Sequence, residues 1–300
     1  MHNAVRVFLM RLDFPPRGFY TSRVQDWSSI LLASAAVLFI GIAKAGFGGG
    51  LGMLTTPLCV LAFNQLGKDS TYAIGVLLPL LCAGDAFSLW HYWGKWRKEN
   101  LKFLLPGVVA GIILGVNLIS WLAEQREDST RIINFVIGVI AVLFVVFQLS
   151  REHLFKAGEP FQPNHRLGIP CGVSMGVVST FAHGAGPLGA LFLVPQRMPK
   201  ELFVGSTVLV FTWVNWLKMP FFVIDRTMVN LPIFVKHSMV NADTLWMSLK
   251  LFPLVPVGVW IGVWLNRRCS EAGFIKVVLG FLFLTGLQLI FNFDLAKAWR

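Results

Sequence analysis

A few residues in this 300-residue chain could do chemistry, and each interrupts a run of apolar neighbours. Lys44 ends the uncharged stretch from Trp27 to Ala43 and is soon followed by Gly46-Phe47-Gly48-Gly49-Gly50. His183 stands directly before Gly184-Ala185-Gly186-Pro187, inside the uncharged stretch from Leu167 to Gln196. Asp85 is the one formal charge between Ser70 and Trp93, and Lys218 the one between Leu202 and Val223. Glycine clusters such as Gly48-Gly49-Gly50, or Gly184 with Gly186, break a helix. The helix that restarts offers unpaired N–H groups and the positive end of its dipole. Such an end binds a carboxylate, sulfonate or sulfite oxygen, and glycine lets the backbone approach that ligand closely.

Each feature also has a plainer reading. Glycines serve close helix packing, as the G-x-x-x-G steps Gly107/Gly111 and Gly258/Gly262 do. Lys44 lies about 25 Å along a helix counted from Trp27 and could snorkel to the far surface. His183 could be a packed hydrogen-bonding residue. Asp85 either carries protons, pairs with Lys44 when no anion is bound, or makes a structural hydrogen bond, since a buried carboxylate is disfavoured by desolvation. Lys218, late in its run, reads on its own as interfacial.

Composition dictates what must position these groups. Hydrophobic residues make up 55% of the chain and charged residues 14%, against about 25% charge in soluble domains; the mean hydropathy is +0.66. So little charge cannot solvate a surface, and the chain is expected to be an integral membrane protein whose partner is the lipid bilayer. The 26 Lys and Arg against 15 Asp and Glu give a net charge of +11. Those bases gather in loops, as at Lys95, Arg97, Lys98 and Lys102, which is membrane topology rather than nucleic-acid binding. Cys59, Cys82, Cys171 and Cys269 form no C-x-x-C pair, so no metal site or cofactor is expected. The N-terminal segment, with Arg6, Arg11, Arg17 and Arg23, lacks a compact cleavable core and reads as a cytoplasmic tail of a cell-membrane protein.

The fold expected is all-α, a polytopic transmembrane bundle of two repeated halves, with about eight spans plus two re-entrant pieces (about 20 residues cross a bilayer). The boundaries read as a tail at 1–27, a first repeat at 28–150, a linker at 151–166 holding Pro160 and Pro163, a second repeat at 167–293 and a tail at 294–300. Each half opens with a glycine-broken segment. Each later carries a Leu-Lys pair, a proline and a G-x-x-x-G step: Leu101-Lys102, Pro106 and Gly107 in one, Leu249-Lys250, Pro256 and Gly258 in the other. Such duplications recur in secondary transporters. Charge counting favours a re-entrant piece after Gly50, because one net crossing keeps the Arg-rich tail and the Lys95 loop on one side. Whether the repeats are parallel or inverted stays open.

Gly46-Phe47-Gly48-Gly49-Gly50 with Pro57, Gly172-x-x-x-Gly176 leading into Gly184-Ala185-Gly186, and Thr207 with Asn215-x-x-Lys218 resemble the sulfite exporter TauE/SafE family of membrane permeases. The resemblance runs from about residue 30 to 292. It implies about eight duplicated helices that move small, often sulfur-containing anions such as sulfite, thiosulfate or sulfonates. It also turns Asn215 and Lys218 into candidate site residues. The longer Arg-rich N-terminus, His183 before the second glycine cluster and the stretch Ile224 to Asp243 depart from that pattern.

The expected function is therefore a proton-coupled or uncoupled secondary transporter of a small anion. Lys44, Lys218 and the helix starts after Gly48-Gly49-Gly50 and Gly184/Gly186 would supply positive potential. His183 and Asn215 would hydrogen-bond the ligand, and Asp85 would handle coupling. Two other classes compete: an intramembrane enzyme, for which Ser206 and His183 are a conceivable pair without a G-x-S-x-G motif, and an assembly or anchor protein, which needs no broken helices.

Overall fold

The computed structural model describes residues 17–44, 53–124, 129–154, 162–226, 231, 233–268 and 271–291. These residues are almost entirely helical, with one isolated bridge, Asp225 to Val235. In chain order the helices are α1 (Arg17–Lys44), α2 (Thr55–Gln65), α3 (Ser70–His91), α4 (Glu99–Ala123), α5 (Ser129–Leu154), α6 (His165–Ala182), α7 (Gly186–Leu193), α8 (Lys200–Val223), α9 (Ala242–Leu251), α10 (Leu254–Arg268) and α11 (Glu271–Phe291). Polar side chains fix several starts. Asp69 accepts from Tyr72 N at 2.7 Å, Asn164 accepts from Leu167 N, and Asn241 with Thr244 forms a reciprocal capping box.

The helices α3, α4, α5 and α8 are long and apolar enough to cross a membrane, and the pair α9 and α10, bent by 43°, can act as a fifth span. Shorter apolar runs, Trp27–Ala43 and Ile275–Phe291, lie in α1 and α11. The chain is thus a multi-pass helical membrane protein. Its lipid-facing residues include Leu143, Leu149, Phe281 and Leu284, large apolar side chains left exposed on helix faces.

Glycine lets three helix pairs come into backbone contact. A Cβ at Gly176 on α6 would strike the backbone of Val108, Ile112 and Gly111 on α4, and one at Gly41 on α1 would strike Val255, Val259 and Gly258 on α10. Gly138 on α5 and Gly286 on α11 lie against each other, with Ile290 beside the first and Val142 beside the second. The G-x-x-x-G steps at Gly107, Gly111 and Gly258 are packing positions, as small residues between membrane helices are.

The directions of the helices follow from who meets whom. Gly75, early in α3, abuts the carbonyl of Met239, whose N–H bonds to Phe222 at the end of α8. Gly205, early in α8, abuts the carbonyl of Lys95, just past the end of α3. The helices α3 and α8 therefore run antiparallel, and so do α5 and α11.

The helix that follows the first glycine cluster runs beside α1. Ser29, near the middle of α1 and at the start of its apolar run, donates to Gln65 Oε1 at the end of α2 at 2.9 Å. From Ser29 to Lys44 is about 22 Å of helix at 1.5 Å per residue, and the stretch 53–65 rises nearly as far. α2 thus returns along α1 to the level of Ser29, near where the apolar run of α1 begins. Consequently Lys95 lies at the opposite end of α3 from the level of Ser29 and Gln65.

Candidate functional site

The chemistry-bearing side chains converge where α3, α6 and α8 meet beside the break between α6 and α7. Lys218 is fully buried on α8. Its ammonium donates to Ser179 Oγ at 2.8 Å, to the Ser179 carbonyl at 3.0 Å and to His183 Nδ1 at 2.9 Å. An ammonium has three N–H bonds and no acceptor, so these three partners use its donors. Ser179 lies in the last turn of α6, where the dipole is negative, and its carbonyl accepts from His183 N at 3.0 Å as well as from the ammonium. Lys218 satisfies that end, helped by Thr56, whose hydroxyl donates to the Ala182 carbonyl at 2.8 Å. The Phe222 ring adds an aromatic face 6.0 Å from the Lys218 ammonium.

His183 caps α6 in the left-handed region, with φ of 49°, where histidine is enriched among non-glycine residues. This turn swings its ring back between α8 and α3. Nε2 lies 3.1 Å from the carbonyl of Ile74. A carbonyl only accepts and an ammonium only donates, so the proton is assigned to Nε2 and the bare lone pair to Nδ1. The imidazole thus joins α3 to α8 in its neutral form.

One turn before Lys218, Asn215 donates to Asp85 Oδ2 at 2.6 Å, and both side chains are buried. The sequence readings for Asp85 were a proton carrier, a partner for Lys44 or a structural hydrogen bond; its described partner is a side-chain amide on the facing helix.

The structure brings together four of the expected site residues, Asp85, His183, Asn215 and Lys218. Lys218 is not interfacial. Gly184 packs against Met53 beside α2, and Gly186 opens α7, whose start carries no side-chain cap. Lys44 is the last residue of α1, with its side chain outside the described residues, and Gly48, Gly49 and Gly50 lie outside them altogether. Three participants escaped the sequence reading. Ser179 and Thr56 hold Lys218 and α6 in place. Thr55, at the start of α2, is buried with its hydroxyl unpartnered among the described residues. Ser179 could have been found as the residue one turn beyond Gly172-x-x-x-Gly176, and the threonines as the hydroxyls that reopen a helix before Pro57.

Ser206, the conceivable nucleophile, accepts from Arg97 N at 2.9 Å. It sits about 18 Å along α8 from Lys218 at 1.5 Å per residue, so it does not meet His183. Near the other end of the molecule a cleft of about 500 Å³ opens among Asp69, Ser120, Glu124, Lys236, His237 and Met239. Its Met239 wall touches Gly75, the neighbour of Ile74.

Residues 33–289 match the family described as sulfite exporter TauE/SafE. The chain belongs to that family. No curated protein and no solved structure matches it. TauE/SafE membership and the apolar helices together make the chain a transmembrane transporter of the exporter type.

Proposed function

We propose that this TauE/SafE member is a secondary transporter of a small, sulfur-containing oxyanion, sulfite, thiosulfate or a sulfonate, and that anion and proton movements are coupled at Lys218. The observation that carries this reading is a buried ammonium whose described partners are a hydroxyl, a carbonyl and an imidazole nitrogen at a helix break. Within a membrane such a residue is functional by default, and carbonyl, hydroxyl and imidazole acceptors can be exchanged for an anion.

The neutral His183 accepts from Lys218. A proton added at Nδ1 would turn that acceptor into a donor and place two cations side by side, which drives the ammonium off the imidazole. The released ammonium, the imidazolium and the Asn215 amide then face the anion together. Asp85 balances the charge of the loaded site. Loss of the proton restores the hydrogen bond to Lys218 and expels the anion. Lys44, with the helix starts that follow the two glycine breaks, would supply further positive potential.

The contacts of Gly41 with α10 repeat those of Gly176 with α4. Gly75 and Gly205 likewise repeat each other, and Gly138 with Gly286 is a mutual contact. These pairings support two repeats related by a twofold axis. Because α3 and α8 are antiparallel, that axis lies in the membrane plane and the repeats are inverted, the arrangement from which alternating access arises. The cleft at Met239 fits the approach to the site from one face. An enzyme or an anchor is the weaker reading, since Ser206 faces Arg97 and an anchor needs no buried Lys218. Flux of labelled sulfite, thiosulfate and a short sulfonate into proteoliposomes, with and without a pH gradient, tests the proposal. Saturable, pH-dependent uptake supports it, and absence of flux for all three in folded protein overturns it.

A further inference from the structure

We propose that the paired N-termini of α4 and α6 form a docking site for the headgroup of an anionic phospholipid, built on Lys102, Phe103 and Arg166. The inference does not depend on the transporter reading, because it rests on the packing and exposure of these two helices.

The α4–α6 pair is parallel. Gly168 meets Phe103, Gly107 meets Ile169 and Val173, and Gly115 meets Thr180, so the contacts advance along both helices together. The two N-termini therefore stand side by side at one end of the molecule, and both present the positive ends of their dipoles. No side chain caps the start of α4, and the first turn of α6 holds no acidic residue.

Cations gather at that end. The Lys102 ammonium lies 4.8 Å from the centroid of the Phe103 ring, and the His165 ring packs edge-on against the same phenyl at 4.9 Å. Lys98, Lys102 and Arg166 are exposed, and none makes an ion pair among the described residues. Of the nearby acids, Glu201 is engaged by Lys95 at 3.0 Å, which leaves Glu99 against three cations.

Exposure along α4 sets the depth. Pro106, Ala110, Leu114, Leu118 and Trp121 follow Lys102 at steps of three or four and are all exposed, so they form one lipid-facing stripe. From Lys102 to Trp121 is about 28 Å of helix at 1.5 Å per residue, which matches the hydrocarbon thickness of a bilayer. Lys102 thus stands at one membrane surface and Trp121 at the other, where interfacial aromatics lie. Trp90 and Trp93, exposed at the end of α3, mark the level of Lys102 again. On α6, the exposed apolar residues Leu167 and Ile169 begin directly after Arg166. Cations at headgroup depth, over two helix N-termini and above an apolar stripe, match a phosphate that carries acyl chains.

Native mass spectrometry tests the site, with the full chain released from micelles holding equal phosphatidylglycerol and phosphatidylcholine of the same acyl chains. The parent should retain phosphatidylglycerol about tenfold over phosphatidylcholine. K102Q with R166Q should lose most of that preference, and K102R with R166K should keep it. Lys68 and Arg131 are exposed at the opposite end, where Ser70 bonds to Asn134. K68Q with R131Q removes as many charges there and should also keep the preference. A parent without preference, an equal loss in both glutamine pairs, or a loss in K102R with R166K would overturn the site. Millimolar glycerol 1-phosphate should leave the lipid adduct in place. Its displacement would show that a free phosphate suffices and would overturn the lipid assignment.

Discussion

Asp85 and Asn215 touch at 2.6 Å, the first from α3 and the second from α8. The amide donates and the carboxylate accepts across the interface of two antiparallel helices. Asn215→Asp would place two carboxylates in contact, where both cannot ionise, and should abolish flux. Exchanging the pair, D85N with N215D, restores one donor and one acceptor. The double variant should recover thermal stability relative to Asn215→Asp alone, by about 1–3 kcal/mol. An unfolding midpoint that does not rise on adding D85N would show that the contact adds nothing to the fold.

His183 is predicted to be the proton-sensitive element. Lowering the pH should raise anion flux in the parent protein, since protonation removes the acceptor that holds Lys218. His183→Gln keeps a hydrogen-bonding group and cannot take up the proton, so its flux should be nearly flat with pH. A His183→Gln profile that keeps the parent's slope would move the coupling elsewhere, with Asp85 next in line.

The antiparallel run of α3 and α8 predicts a topology. Lys95 and Lys236 are both exposed and stand at opposite ends of α3 and α8. K95C and K236C should react with an impermeant maleimide from opposite sides of the membrane. Labelling of both from the same side would contradict the antiparallel pairing of α3 with α8.

Glycine packing predicts a stability contrast. A Cβ at Gly111 would collide with the Val173 backbone, while one at Gly280 meets nothing within 4 Å. Gly111→Val should lower the unfolding midpoint in detergent by the equivalent of about 1–3 kcal/mol or more, the usual penalty for overpacking. Gly280→Ala should be neutral or slightly stabilising, as alanine favours the helix. Equal midpoints would remove glycine from its role at the α4–α6 contact.

Much of this was legible in the residues. Low charge and uncharged runs announced the membrane helices, and Asp85 and His183 stood out because each broke such a run. Lys218 looked interfacial because sequence gives its position along α8 and not the depth at which α6 ends beside it. Ser179 is marked only by its place one turn beyond Gly172-x-x-x-Gly176, and its role needs the lysine that arrives from another helix. The path of α2 beside α1 needs the Ser29–Gln65 hydrogen bond, which joins residues 36 apart in the chain and which charge counting has no means of seeing. The antiparallel run of α3 and α8 needed the meeting of Gly75 with Met239 and of Gly205 with Lys95, which lie far apart in the chain.

Lys218 carries the central claim, and its substitution by methionine is the most direct test. Methionine nearly matches the lysine stem in volume and keeps the buried site filled, so the variant should fold and insert. Proteoliposomes of parent and Lys218→Met protein, at equal incorporation, would be given labelled sulfite, thiosulfate and a short sulfonate under an imposed pH gradient. The account predicts saturable uptake of at least one anion by the parent and a loss of about a hundredfold in the variant, the scale of about 2.7 kcal/mol for one buried charged contact. Uptake by Lys218→Met within a factor of about two of the parent, below about 0.5 kcal/mol, would contradict the claim that the anion is bound at this lysine.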